Sequence, residues 1–186
     1  MEKKDRGRYA FTAKKLCYTA GMVVVNCLCA WLSVPIGEIP VTLQTFAVCL
    51  TACMLGWKLG TLSMLAYILL GFIGVPVFSG FTGGVSKLVT PTGGYIIGFL
   101  FSAPIIGLLT EKRREKLWAL IISNLLGLLV CYLFGTVWFA LFLGNEVGFW
   151  TALITCVLPF VPFDVVKIVL ASLLVKKIHA KIKMEQ

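Results

Sequence analysis

Two ionisable residues of opposite charge, Asp164 and Lys167, lie inside a long apolar stretch, in the segment PFVPFDVVK. Residues three apart on a helix share a face, so the two side chains can form an ion pair. Lys167 precedes the next basic residue, Lys176, by about 14 Å of helix. A charge that deep in apolar surroundings costs a few kcal/mol unless it meets a partner or a polar cavity. The pattern predicts an anion-binding site, with Lys167 holding the anion.

Asp164 has two possible roles beside that lysine. It can fix the lysine, or it can accept an N–H group of a ligand. The alternative is purely structural: Asp164 caps a helix that Pro162 opens, and Lys167 only neutralises it.

Neutral polar residues that could reach the same place stand in two short motifs. A hydroxyl or amide near a helix start often serves only as a cap or turn former, so a local role stays open for each. They are Thr42, Gln44 and Thr45 in PVTLQTF, and Thr90, Thr92 and Tyr95 in TPTGGY.

The sequence offers little for catalysis. Its one histidine, His179, lies in the basic C-terminal region, and its seven cysteines form no CxxC motif. One carboxylate in the apolar stretches cannot make an acid–base pair or a metal site. The glycine-rich piece GFTGG is not followed by GK[ST], so it is not a nucleotide-binding loop. We expect neither an enzyme nor a bound cofactor or metal.

The elements that position these residues are set by a membrane composition. The chain of 186 residues is 59% hydrophobic and 13% charged, with a mean hydropathy of +0.96. Its apolar stretches are apolar on all sides and long enough to cross a bilayer. We predict an all-α membrane protein of six transmembrane helices in one domain, 1–186, with basic tails at 1–12 and 176–186. The predicted spans are 16–34, 41–55, 60–73, 94–109, 117–143 and 147–175.

The net charge of +9 would suit nucleic acid, but the basic residues cluster at the ends of apolar segments, which favours a role in topology. A turn at Gly56–Gly60 places every Lys and Arg except Lys87 and Lys167 on one side. By the positive-inside rule that side is cytoplasmic, with both termini. The opposite side then carries residues 74–94, rich in glycine and nearly uncharged, which we expect to form a lid or a cavity wall.

Five motifs in this order resemble the BioY family, the biotin-binding S-components of energy-coupling-factor (ECF) vitamin transporters. They cover most of the chain from Pro40 to Lys167. The motifs are PVTLQTFAV (40–48), GFIGVPVFSGFTGG (71–84), TPTGGYIIGF (90–99), GTVW (135–138) and PFVPFDVVK (159–167).

The resemblance implies the six-helix S-component fold in a bacterial plasma membrane. It implies that biotin binds from outside, and that a transmembrane coupling subunit and two ATPase subunits drive its uptake. The family's acidic and basic pair matches Asp164 and Lys167. Together with this pair, we predict Gln44, Tyr95, Thr92 and Gly80 as the ligand-binding residues.

The chain departs from the family pattern in three places. TPTGGY replaces the frequent GPTGGY, and Gly80 stands at a loop position that is polar in relatives. The AxxxA motif with which many S-components dock is present only as small residues at four-residue spacing, Ala13, Cys17 and Gly21. This stripe either docks the coupling subunit or packs against the chain's own helices.

Two alternatives stay open. An S-component for another vitamin would share the fold, and a titration with biotin, thiamine and riboflavin separates the two. An intramembrane enzyme would require catalytic groups that the sequence lacks.

Overall fold

The computed structural model describes residues 13–35, 39–143 and 149–184, which are predominantly helical. The predicted all-α class is confirmed, with one short antiparallel ribbon in which Ser33 pairs with Thr42 and Val34 with Val41. In chain order the elements are α1 (Ala13–Trp31), β1 (Ser33–Val34), β2 (Val41–Thr42), α2 (Gln44–Phe72), a 3₁₀ helix (Val85–Lys87), α3 (Gly93–Thr110), α4 (Leu117–Leu143), α5 (Phe149–Cys156) and α6 (Val161–Met184).

Helix α2 contains a break at Gly56, which has φ 76° and ψ −178°. Only glycine adopts that backbone conformation without strain, because it has no Cβ. The break divides α2 into two segments, α2a (44–55) and α2b (57–72).

The two segments of α2 run antiparallel. A Cβ on Gly60 would lie 3.1 Å from the Cα of Ala52, and Gln44 Nε2 donates to Tyr67 Oη at 2.9 Å. In one continuous helix Gln44 and Tyr67 would stand about 35 Å apart. The chain therefore reverses where the sequence predicted a turn.

Helix α4 packs antiparallel to both α3 and α6. Gly98 lets the backbones of α3 and α4 approach each other, since a Cβ on Gly98 would lie 3.0 Å from the Cα of Cys131. Asn124 Nδ2 near the start of α4 donates to Ser172 Oγ of α6 at 3.1 Å. Helix α1 lies against α2. The core between the helices holds the fully buried Met64, Tyr67, Ile106, Leu120 and Ile168.

Three assigned helices are long and apolar enough to cross a membrane, by length and composition: Gln44–Phe72, Gly93–Thr110 and Leu117–Phe142. Because the first of these folds back on itself, it is not one straight span. Large apolar side chains such as Leu129 and Leu133 are about 60% exposed, as in a protein whose surface faces lipid.

The predicted last span, 147–175, is wrong as a single helix. Its described part contains α5, a turn at 157–160, and the first part of α6. The turn contains Pro159, and Pro162 stands in the first turn of α6, where a missing N–H is tolerated. Helix α6 also continues to Met184, so the predicted C-terminal tail is largely helical. The N-terminal tail, 1–12, lies outside the described residues.

The helix directions give the molecule two ends. The basic end comprises the first turn of α1, the Gly56 turn, the connection 111–116 and the last turns of α6. The cavity end comprises residues 31–35 and 39–43, the segment 73–92 and the turn 157–160.

Candidate functional site

A cavity of about 210 Å³ opens between the helices at the cavity end. Helices α2 to α6 and the segment 73–92 all contribute to its wall. The lining residues are Ile39, Pro40, Thr42, Gln44, Thr45, Phe78, Ser79, Lys87, Thr90, Pro91, Thr92, Tyr95, Ile96, Phe99, Leu128, Cys131, Tyr132, Cys156, Phe160, Asp164 and Lys167.

The base of the cavity carries the predicted ion pair. Lys167 Nζ donates to Asp164 Oδ1 at 2.8 Å, one turn along α6. Tyr132 Oη of α4 donates to the other carboxylate oxygen, Oδ2, at 2.6 Å. Asp164 is 4% exposed and Lys167 is 7% exposed. Buried charges need partners of this kind, since an unpaired one would be strongly destabilising.

This geometry bears on the structural alternative for Asp164. Its backbone N–H donates to Phe160 O at 2.9 Å, while its carboxylate receives the side chains of Tyr132 and Lys167. The carboxylate thus serves a side-chain network rather than the helix start. The neutralising pair is present, and it faces a cavity.

Gln44 stands on the first turn of α2a and lines the cavity. Its Nε2 donates to Tyr67 Oη, which donates in turn to the carbonyl of Val77 at 3.1 Å. Thr42 Oγ1 accepts from the Gln44 backbone N–H at 3.2 Å, the local role left open for it. Gln44 therefore joins α2 to the segment that covers the cavity.

The TPTGGY motif forms another part of the wall. Tyr95 Oη donates to the carbonyl of Cys156 at 3.1 Å, which joins α3 to α5. Thr90 Oγ1 donates to the carbonyl of Lys87 at 2.7 Å and lies 3.0 Å from Thr92 Oγ1. Both threonines thus shape the turn and line the cavity at once.

As predicted, the glycine-rich segment forms part of the cavity wall, and its contacts with α1 and α4 hold it in place. Trp31 Nε1, at the end of α1, donates to the carbonyl of Pro76 at 2.8 Å, and its ring stacks on Phe81 with centroids 4.9 Å apart. Trp138 Nε1 of α4 donates to the carbonyl of Thr90 at 3.0 Å. The segment is therefore held by α1 through Trp31 and by α4 through Trp138.

The structure does not place Gly80 in the cavity wall. Gly80 is exposed, has φ +71°, and no atom lies within 4 Å of the position its Cβ would take. Its neighbours Phe78 and Ser79 line the cavity instead. Gly80 forms the tip of the turn between the bridged residues Phe78 and Thr82, which is a conformational role.

Sequence reasoning did not assign Tyr132 or Lys87 to the site. A signal existed for Tyr132, because a tyrosine hydroxyl within a long apolar helix needs a hydrogen-bond partner. Lys87 is the one cation in the glycine-rich segment, which is a weaker signal. In the described ranges, no three His, Cys, Asp or Glu side chains cluster as they would for a metal ion.

The small-residue stripe of α1 lies outside the site, on the exposed face of the helix. Ala13, Cys17 and Gly21 are all exposed, and a Cβ on Gly21 would meet no atom within 4 Å. Among the described residues the stripe is thus not covered by the chain's own helices, and its role in docking stays a prediction.

Comparison with known proteins shows a match to the BioY family over residues 1–184. The probable biotin transporter BioY of Pyrococcus horikoshii is 43% identical over 167 residues, or 90% of this chain and 97% of the relative. The biotin transporter BioY of Thermotoga maritima is 43% identical over 162 residues, or 84% of this chain and 90% of the relative.

A solved structure has the same fold. It is the crystal structure of the S-component for biotin from an ECF-type ABC transporter, with a TM-score of 0.83 and 31% sequence identity. The match covers 90% of this chain and 92% of that one.

Proposed function

The chain belongs to the BioY family, and we propose that it captures biotin from outside the cell as the substrate-binding S-component of an ECF transporter. The observation that carries the proposal is the cavity around Asp164 and Lys167, in a fold that matches a biotin S-component. The relatives are named as transporters rather than enzymes.

Biotin suits this cavity physically. Its ureido ring offers N–H donors and a carbonyl acceptor, its sulfur ring and side chain are apolar, and its carboxylate needs a cation. The wall supplies Gln44, Tyr95, Asp164 and Lys167 among apolar side chains such as Phe99. Sites for drug-sized ligands occupy about 300–1,000 Å³, so 210 Å³ favours a small, compact ligand.

The test of this function uses the protein purified in detergent. Mass spectrometry of the extracted ligand should find biotin, and calorimetry of the ligand-free protein should give a tight one-to-one isotherm with biotin. Thiamine and riboflavin are the controls for another vitamin. Binding of either in place of biotin would overturn the assignment.

The two ends of the molecule support a proposal for its arrangement in the membrane. We infer that the long helical segments cross the plasma membrane six times, with α5 at the cavity end. The basic end would face the cytoplasm with both termini, and the whole chain, 1–186, would form one membrane domain. The cavity would then open to the outside, where biotin is captured.

Energy for uptake requires partners, because the sequence contains no GxxxxGK[ST] nucleotide loop. We propose a transmembrane coupling subunit with two ATPase subunits. The exposed stripe of Ala13, Cys17 and Gly21 is a suitable docking face, since small residues let a second helix approach closely within lipid.

A further inference from the structure

The charges of the cavity wall are unequal. In the ranges that the structure describes, the wall holds two lysines, Lys87 and Lys167, but only one carboxylate, Asp164. Lys167 already pairs with that carboxylate at 2.8 Å. The wall therefore carries one cation more than it has carboxylates, and the unmatched lysine is Lys87.

The base of the cavity is poorly suited to a ligand carboxylate. Both oxygens of Asp164 already accept hydrogen bonds, one from Lys167 and one from Tyr132. A second carboxylate beside Lys167 would put two anions on one ammonium in a site that is more than nine-tenths buried. Like charges in such a site repel strongly, and desolvation adds to the cost.

Lys87 lies in different surroundings. It ends the 3₁₀ helix of the segment 73–92 and is half-buried at the cavity end. Its carbonyl is held by Thr90 Oγ1, which fixes the backbone from which the side chain extends. An anion bound there keeps part of its hydration and gains a charge-assisted contact.

We propose that Lys87, rather than Lys167, binds the carboxylate of the ligand. This assignment rests on the proposed function, with biotin as the ligand. The carboxylate then points toward the mouth, and the neutral ring end points toward Asp164 and Lys167. A neutral ring with hydrogen-bond donors and an acceptor can contact that ion pair without adding charge to the buried site.

The test compares biotin with biotinamide, in which the carboxylate is a neutral amide, by calorimetry on the detergent-purified protein. Lys87→Met should weaken biotin about tenfold or more, as expected for a hydrogen-bonded charge, and should change the biotinamide affinity less than about threefold. Lys87→Arg should keep the preference for biotin. Lys58→Met, a matched change at the basic end, should affect neither ligand.

Lys167→Met should behave differently from Lys87→Met: it should weaken the binding of biotin and of biotinamide by a similar factor. If Lys167→Met removes the preference for the carboxylate and Lys87→Met keeps it, the assignment is wrong. If wild-type protein binds no biotin at all, the proposed function fails and the assignment fails with it.

A wild-type measurement keeps the test independent of how the variants fold. The N-hydroxysuccinimide ester of biotin acylates a nearby amine and releases N-hydroxysuccinimide. Peptide mapping should find acylation at Lys87 that excess free biotin suppresses. Biotin-suppressible acylation at Lys167 instead would overturn the proposal.

Discussion

Asp164 shows that the site depends on partners both near and far in the sequence. Its partner Lys167 is one helical turn away, so the sequence spacing alone predicted the pair. Its other partner, Tyr132, belongs to α4 and meets Asp164 only because α4 and α6 pack antiparallel. No local pattern encodes that meeting, which is why Tyr132 was missed.

We predict that Tyr132→Phe lowers biotin affinity about tenfold, because it removes a hydrogen bond to a buried charged group. Calorimetry measures the loss. Tyr18→Phe, on the exposed face of α1, is the matched control and should bind as wild type. Equal affinities for wild type and Tyr132→Phe would mean that the phenol does not position Asp164.

The buried ion pair gives a second prediction. Lys167→Ala should lower the free energy of unfolding by about 3–5 kcal/mol, because it leaves Asp164 buried without its cation. It should also weaken biotin binding by about 2 kcal/mol or more.

Adding Asp164→Asn to a Lys167→Met background separates the two effects. Stability should largely return, since no buried charge remains, while biotin binding should stay weak. Thermal unfolding in detergent and calorimetry measure the two quantities. Recovery of stability and biotin binding together would show that the ion pair is only structural.

At the scale of elements, the sequence predicted most boundaries because turn residues interrupt the apolar runs. The Gly56 reversal is an example, since glycine and Lys58 stand in an otherwise apolar stretch. The break between α5 and α6 was missed. There the residues remain apolar across the turn, and only Pro159 and Pro162 mark it, a signal that a kinked single helix also carries.

The Gly56 turn yields a prediction of its own. Gly56→Ala should destabilise the protein by about 1–3 kcal/mol, because alanine is strained in that backbone conformation. The new Cβ would also lie 3.0 Å from Arg114 Nη2. Gly21→Ala is the matched control, with open space around its Cβ. Thermal unfolding that is equal for the two variants would contradict the structural role of Gly56.

At the scale of the whole molecule, charge is distributed by end. Among the described residues, every Lys and Arg except Lys87 and Lys167 belongs to the basic end. The positions of the basic residues in the sequence predicted this division, because the connections between successive transmembrane segments lie on alternate sides of the membrane. The shape of the cavity could not be predicted in the same way, because five helices, residues 39–42 and the segment 73–92 all contribute to it.

Orientation can be tested in intact cells. In a background without the seven native cysteines, Ser86→Cys should react with a membrane-impermeant thiol reagent, because the proposed orientation puts the segment 73–92 outside the cell. Glu115→Cys, at the basic end, should react only after the cells are permeabilised. The reverse labelling pattern would place the cavity on the cytoplasmic side.

Helix α1 connects two regions that transport must coordinate. Its exposed stripe reaches toward the basic end, while Trp31 at its other end donates to Pro76 and stacks on Phe81. Movement imposed on the stripe by a partner would therefore pull on the segment that covers the cavity. In the proposed complex, this connection would let an ATP-driven partner act on the cavity through the stripe.

Gly21→Trp tests that role, because the side chain would project from the stripe into open space. Biotin binding by the purified protein should persist, since no contact of the cavity wall changes. Co-purification with the coupling subunit and biotin uptake should both be lost, because the bulky ring prevents close helix approach. Tyr18→Trp, about 100° around α1 from the centre of the stripe, should leave all three intact. A Gly21→Trp protein that loses biotin binding together with complex formation would contradict the docking role, because overpacking against the chain's own helices damages folding and both functions at once.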